Sequence, residues 1–141
     1  MIADRARRGA DWGRFVLRAV LGLIFAVHGA QKVLVFGLEG TAGFMTKVGV
    51  PLPTVAAIVV MVVELVGGLA LILGAGTRVA AALIAIDMVV AILLVTAGNG
   101  FVGGYEFELM LLAAAVSVAL LGAGALSLDR AFWPREDDPD M

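Results

Sequence analysis

The chain of 141 residues is 62% hydrophobic and 16% charged, with a net charge of −2 and a mean hydropathy of +1.05. Soluble globular domains run about 45–50% apolar, so a chain this short cannot hide that surface from water. The composition excludes a soluble enzyme or a nucleic-acid partner and defines an integral membrane protein in contact with the lipid bilayer. Cysteine is absent, which removes disulfides, thiol redox couples, Cys-ligated zinc and self-supplied iron–sulfur clusters. His28 is the single histidine, so bis-histidine haem ligation would require two copies of the chain. No metal site and no intrinsic cofactor are expected.

In chain order, residues 1–13 form a basic N-terminus, 14–130 a four-helix transmembrane domain and 131–141 an acidic tail. Apolar stretches at 15–35, 54–73, 79–97 and 107–121 match the ~20 residues that cross a hydrocarbon core of about 30 Å. The turn at 74–78 is short enough to force an antiparallel pair, and 99–104 joins the third and fourth spans. The longest connection, 36–53, holds a segment at 41–48 that reads as a short amphipathic helix at the membrane surface. The expected fold is therefore all-α: an antiparallel four-helix transmembrane bundle with a short surface helix between spans one and two.

Orientation follows from the arginines. Arg5, Arg7, Arg8 and Arg14 precede the first span, Arg78 lies in the second connection, and Arg130 and Arg135 follow the fourth. These regions share one side, with Trp12 and Trp133 at its interface, which places both termini in the cytoplasm of a bacterial-type plasma (inner) membrane. A signal peptide fits less well, because the first apolar stretch is too long for an h-region and contains Arg18.

Glu64 and Asp87 sit mid-span, where a carboxyl costs roughly 2.5–3.5 kcal/mol and so faces a protein interior with a partner. At about 100° per residue, Arg18, Gly22, His28, Gly29 and Lys32 gather in one sector of the first span. Gly67 and Gly68 flank Glu64, Ala80 and Ala91 flank Asp87, Ser117 shares the face of Glu106, and Ala115 that of Glu108. Small residues beside polar ones mark helix contact surfaces in lipid, since they let backbones approach. The pattern predicts a polar cavity in the outer half, lined by His28, Lys32, Glu64, Asp87 and Glu106 or Glu108, with Arg18 closing it from below. Glu64, His28 and Asp87 are the candidates for proton transfer, and Arg18, His28, Lys32, Glu64, Glu106 and Glu108 for substrate binding. Each also has a plainer reading. Arg18 and Lys32 can snorkel to the interfaces, and Glu106 and Glu108 suit a helix N-terminus. Glu64 can pin helix order by pairing with Arg18 or Lys32, Asp87 can bond backbone or Ser117, and His28 can be a satisfied core histidine.

Three stretches resemble the DoxX family: Arg14 to Lys32 with Arg18, His28, Gly29 and Lys32; Glu64-Leu-Val-Gly67-Gly68 followed by Gly74-Ala-Gly-Thr-Arg78; and Gly122-Ala-Gly124-Ala-Leu-Ser127-Leu-Asp129. The resemblance covers about 14–130 and implies a four-helix membrane protein, with relatives linked to thiosulfate:quinone oxidoreduction and to membrane-bound oxidative-stress complexes. The leading expectation is a subunit of a membrane redox system that binds a quinone or a small sulfur-oxyanion, with a soluble redox protein as partner. A proton-coupled transporter or channel, built as a homo-oligomer, is the alternative. A non-catalytic scaffold that recruits soluble enzymes through the acidic tail is another.

Overall fold

The computed structural model describes residues 2–133, so from Pro134 onward the expected acidic tail lies outside the described residues. Six helices follow one another: α1 (Ile2–Gln31), α2 (Gly37–Lys47), α3 (Pro53–Leu73), α4 (Thr77–Ala91), α5 (Glu106–Leu121) and α6 (Leu128–Phe132). Wide π-helical turns at Lys32–Phe36 and Ile92–Thr96 prolong α1 and α4. Four helical stretches are long and apolar enough to cross a membrane: Asp4–Lys47, Pro53–Leu73, Thr77–Asn99 and Phe101–Leu121. In the last of these, Val102, Gly103 and Gly104 leave helical geometry, so the regular helix begins at Glu106.

The protein is an all-α membrane bundle. α1 packs along α3, α3 along α4 and α4 along α5, and α1 also touches α5. Leu21, Phe25, Leu71, Ile84, Ala115 and Val118 fill the centre. Large apolar side chains such as Leu34, Val79, Leu93 and Leu120 point outward, an arrangement that lipid solvates and water would not. The helix expected between the first two spans is α2, folded onto α3 with Thr41 and Met45 buried. α1 runs unbroken from Ile2, so the basic residues before the first span lie on the same helix as the span itself.

Backbone contact between α1 and α3 sets the spacing of the bundle. A Cβ on Gly22 would stand 2.6 Å from the Gly68 carbonyl oxygen. One on Gly29 would collide with the Leu65 backbone, and one on Gly68 with the Ala26 backbone nitrogen. Only glycine at these three positions permits the approach, as in other small-residue helix pairs in lipid.

The ends of α3 and α4 are held by groups distant in sequence. α3 starts on Pro53, whose fixed φ suits the first helical position, and stops at Gly74 in the left-handed region (φ 70°). There the Ala75 and Gly74 N–H groups bond back to Ala70 and Leu71 in a Schellman pattern. Arg18, 1% exposed, donates to the carbonyls of Leu71 (2.6 Å), Ile72 (3.1 Å) and Leu126 (2.5 Å). It thereby adds donors to the last carbonyls of α3, where the helix itself leaves acceptors short, and ties them to Leu126 in the segment before α6. Gly74 must be glycine here as well, since a side chain would strike the Arg18 guanidinium. Asp129 performs the complementary task for α4: its two oxygens accept from the N–H groups of Gly76 (2.6 Å) and Thr77 (2.9 Å). Burial alone would raise its pKa, but hydrogen bonds from Thr77 and Gly76, together with the charge of Arg18, hold it below the usual 3.8.

Substituting Gly68 by Val is expected to destabilise the protein by about 3 kcal/mol, the upper end for overpacking, whereas Gly43→Ala, in open space inside α2, is expected to raise thermal stability in detergent slightly, by up to about 1 kcal/mol. Asp129→Ala is expected to lose about 1 kcal/mol at neutral pH, as for a helix cap. Because the folded pKa of Asp129 is depressed, its contribution is present above the unfolded value of 3.8 and is lost as pH falls through the lower folded value. The melting temperature of the Ala variant should therefore depend less on pH than wild type below about pH 4.5.

Candidate functional site

Lys32 opens the π-helical turn that follows α1, and Glu64 lies at the middle of α3. The antiparallel α1–α3 contact brings them together, with Lys32 Nζ 2.6 Å from Glu64 Oε2. The Glu64 side chain is 7% exposed and that of Lys32 21%, so lipid or water reaches the pair only from the lysine side. A buried pair of this kind contributes modestly to stability, but removing either partner leaves an uncompensated charge.

Beside this pair is a cavity of about 230 Å³. His28, Lys32, Glu64, Asp87, Thr96 and Glu108 supply its polar lining. Apolar groups from several helices make the rest of the wall, with Phe25 from α1, Phe44 and Met45 from α2, Val60 from α3 and Leu111 from α5 among them. α2 thus forms part of the enclosure. Three of the polar oxygens, Asp87 Oδ2, Thr96 Oγ1 and Glu108 Oε2, are buried and have no hydrogen-bond partner. Unpaired buried acceptors are uncommon and each calls for an explanation. The lining carries the carboxyls of Glu64, Asp87 and Glu108 against the single ammonium of Lys32. The site is therefore rich in acceptors and poor in donors.

The residues singled out from sequence do not all meet here. His28 borders the cavity at its exposed side, and its Nδ1–H donates to the Ile24 carbonyl oxygen at 2.8 Å. Arg18 lies elsewhere: at about 1.5 Å per residue it is ~21 Å along α1 from Lys32, on the α3 carbonyls. It closes the bundle end rather than the cavity. Glu106 also lies apart, its Oε1 accepting from the Gly103 N–H at 2.8 Å. Two residues along a helix is about 200°, so Glu106 and Glu108 cannot face the same way. Ser117 does not reach Asp87; it donates to the Ala113 carbonyl at 2.7 Å. Among the described residues, no three acidic or histidine side chains form a cluster able to hold a metal ion.

Thr96 escapes sequence reasoning. Nine residues beyond Asp87 at about 100° each would put it on the opposite face. The π-helical turn at Ile92–Thr96 adds one residue and rotates the face by roughly 100°, toward the cavity. Nothing in the spacing signals that turn.

Fold and cavity together define a small multi-pass α-helical membrane protein with an acceptor-lined cavity at one end of its bundle. It belongs to the DoxX family, whose profile matches residues 13–97. A Bacillus subtilis (strain 168) protein named "Putative oxidoreductase CatD" is 38% identical over 117 residues, covering 83% of this chain and 84% of that protein. The inner membrane protein YphA of Escherichia coli (strain K12) is 28% identical over 82% of this chain and 86% of its own length. An uncharacterized membrane protein of Mycobacterium tuberculosis is 36% identical over 81% of this chain and 77% of its own length. No solved structure matches the chain significantly.

Lys32→Met is expected to destabilise the protein by about 3 kcal/mol by stranding Glu64, and adding Glu64→Met should restore most of that loss. Denaturation of the two single variants and the double variant in detergent measures it; strictly additive losses would show that the pair is not coupled.

Proposed function

We propose that the protein is the membrane subunit of a redox system and that its cavity takes the ring of a quinone-class molecule, favouring the reduced quinol. The three unpartnered oxygens of Asp87, Thr96 and Glu108 on otherwise apolar walls carry this reading. A quinol presents two O–H donors on a flat apolar ring, the complement of that lining. Leaving a buried acceptor unpaired costs about 1–3 kcal/mol, which a ligand donor offsets. A small sulfur-oxyanion fits less well, because the lining's carboxyls outnumber its ammonium and repel it.

Both quinol O–H bonds break heterolytically, and the carboxylates of Asp87 and Glu108 accept the two protons. The ring becomes the quinone, and its two electrons reduce an acceptor protein associated with this subunit. The Lys32–Glu64 pair fixes the geometry of the donor side and supplies an N–H to a quinone oxygen as it forms. The name of the Bacillus subtilis relative, an oxidoreductase, agrees with redox work. The inner-membrane location in the name of the Escherichia coli relative supports the same membrane here, and the clustering of arginines at one end of the bundle supports placing that end and both termini in the cytoplasm. A conduit through one chain is disfavoured, since Leu21, Leu71, Ile84 and Ala115 fill the bundle beyond the cavity.

Purified protein is expected to bind a short-chain ubiquinol analogue saturably, and more tightly than the matching quinone. Asp87→Asn and Glu108→Gln should each weaken the quinol about five- to tenfold by removing a charge-assisted acceptor. Protein that carries no quinone and binds neither analogue would overturn the reading.

A further inference from the structure

At the other end of the bundle, where the α3–α4 turn, the segment after α5 and the first third of α1 meet, lies a larger groove of about 510 Å³. Arginines from three helices line it: Arg14 of α1, Arg78 of α4 and Arg130 of α6. The acids beside them are already engaged. Both oxygens of Asp129 hold the Gly76 and Thr77 N–H groups. Asp11 lies 3.6 Å from Arg14 and accepts from the Ala125 N–H.

The backbone is shaped to keep two of these arginines apart and open. Gly122 and Gly124 both have positive φ (77° and 76°), so the chain passes between Arg78 on one side and Arg14 on the other. A Cβ on Gly122 would sit 3.2 Å from Arg78 Nε, and one on Gly124 would sit 3.3 Å from the Cβ of Arg14. Arg78 has no hydrogen-bond or ion-pair partner among the described residues. The N–H groups of Ala123 and Gly124 bond to no acceptor there either. The groove thus offers the unpaired Arg78 guanidinium and backbone N–H donors, with Arg14 beside them held only loosely by Asp11 at 3.6 Å. Arginine forks match the oxygens of a phosphate group bidentately.

The setting selects among phosphate carriers. Trp133 lines the groove, and Trp12 is exposed on α1 one residue after Asp11. Tryptophan concentrates at the headgroup level of a bilayer, and the apolar Val79 and Leu121 of the groove wall lead toward the lipid-facing surface. Basic pockets between helix ends recognise anionic lipid headgroups. We propose that this groove binds the phosphate group of an anionic phospholipid, with Arg14 and Arg78 as its principal contacts and the acyl chains lying along α4 and α5. This site is separate from the cavity assigned to the quinol.

The test uses the full chain in dodecyl maltoside, with thermal stability read as phosphatidylglycerol, phosphatidylcholine or inorganic phosphate is added. Phosphatidylglycerol is expected to raise the melting temperature saturably, and phosphatidylcholine is not. Arg78→Gln and Arg14→Gln should each weaken the apparent affinity roughly fivefold, while Lys47→Gln at the far end leaves it unchanged. Equal stabilisation by the two lipids, or unchanged affinity in both arginine variants, would overturn the site. Inorganic phosphate reproducing the whole shift at equal concentration would overturn the lipid as its source.

Discussion

Helices in lipid gain nothing from hiding apolar surface from one another, since the acyl chains are as apolar as leucine. Association must come from close packing and from polar contacts. In this protein the close packing is the meeting of Gly22, Gly29 and Gly68, where the backbones of α1 and α3 touch. That contact fixes the axial register of the two helices, and the register places two cations. Near one end Arg18 reaches the carbonyls that finish α3; near the other Lys32 meets Glu64. Slide α1 by one turn and both contacts fail together. Packing and electrostatics are therefore not separate contributions here, because the first decides whether the second exists.

The same register seals the centre of the bundle at Arg18, inside the arginine-lined groove, and leaves it hollow beside Lys32. Around Arg18 every donor of consequence finds a carbonyl, save its Nε, and the glycine turn at Gly74 fits against the guanidinium. Around Lys32 the chain widens: α1 and α4 both pass through π-helical turns at that level, and α2 folds over the gap. The oxygens of Asp87, Thr96 and Glu108 are left facing the cavity rather than a partner.

Much of this could be read from residues alone. The facing of Lys32 and Glu64 follows from helical angle and depth, as do the small-residue surfaces and the spans. Arg18 illustrates the limit. Its sector is legible, but a guanidinium can serve carboxylates, lipid phosphates or carbonyls, and only the position of the α3 terminus decides in favour of carbonyls. Glu106 and Glu108 could be separated by angle, yet which of the two turns inward depends on how α4 and α5 pack. Thr96 lay beyond reach because its face depends on a turn geometry that periodicity assumes away. Asp129 carried no local pattern as a cap, since the helix it caps begins at Thr77, far earlier in the chain.

α1 runs without a break from Ile2 to Gln31. Thirty helical residues make a rod of about 45 Å, against a hydrocarbon thickness of about 30 Å. Since the bundle is closed at the level of Arg18, the surplus lies on the arginine side, as a stiff mast carrying Arg5, Arg7 and Arg8. A protein docking on that mast would be held at a set height above the bilayer. Its distance from the lipid would be measured by helix length rather than left to a loose tether.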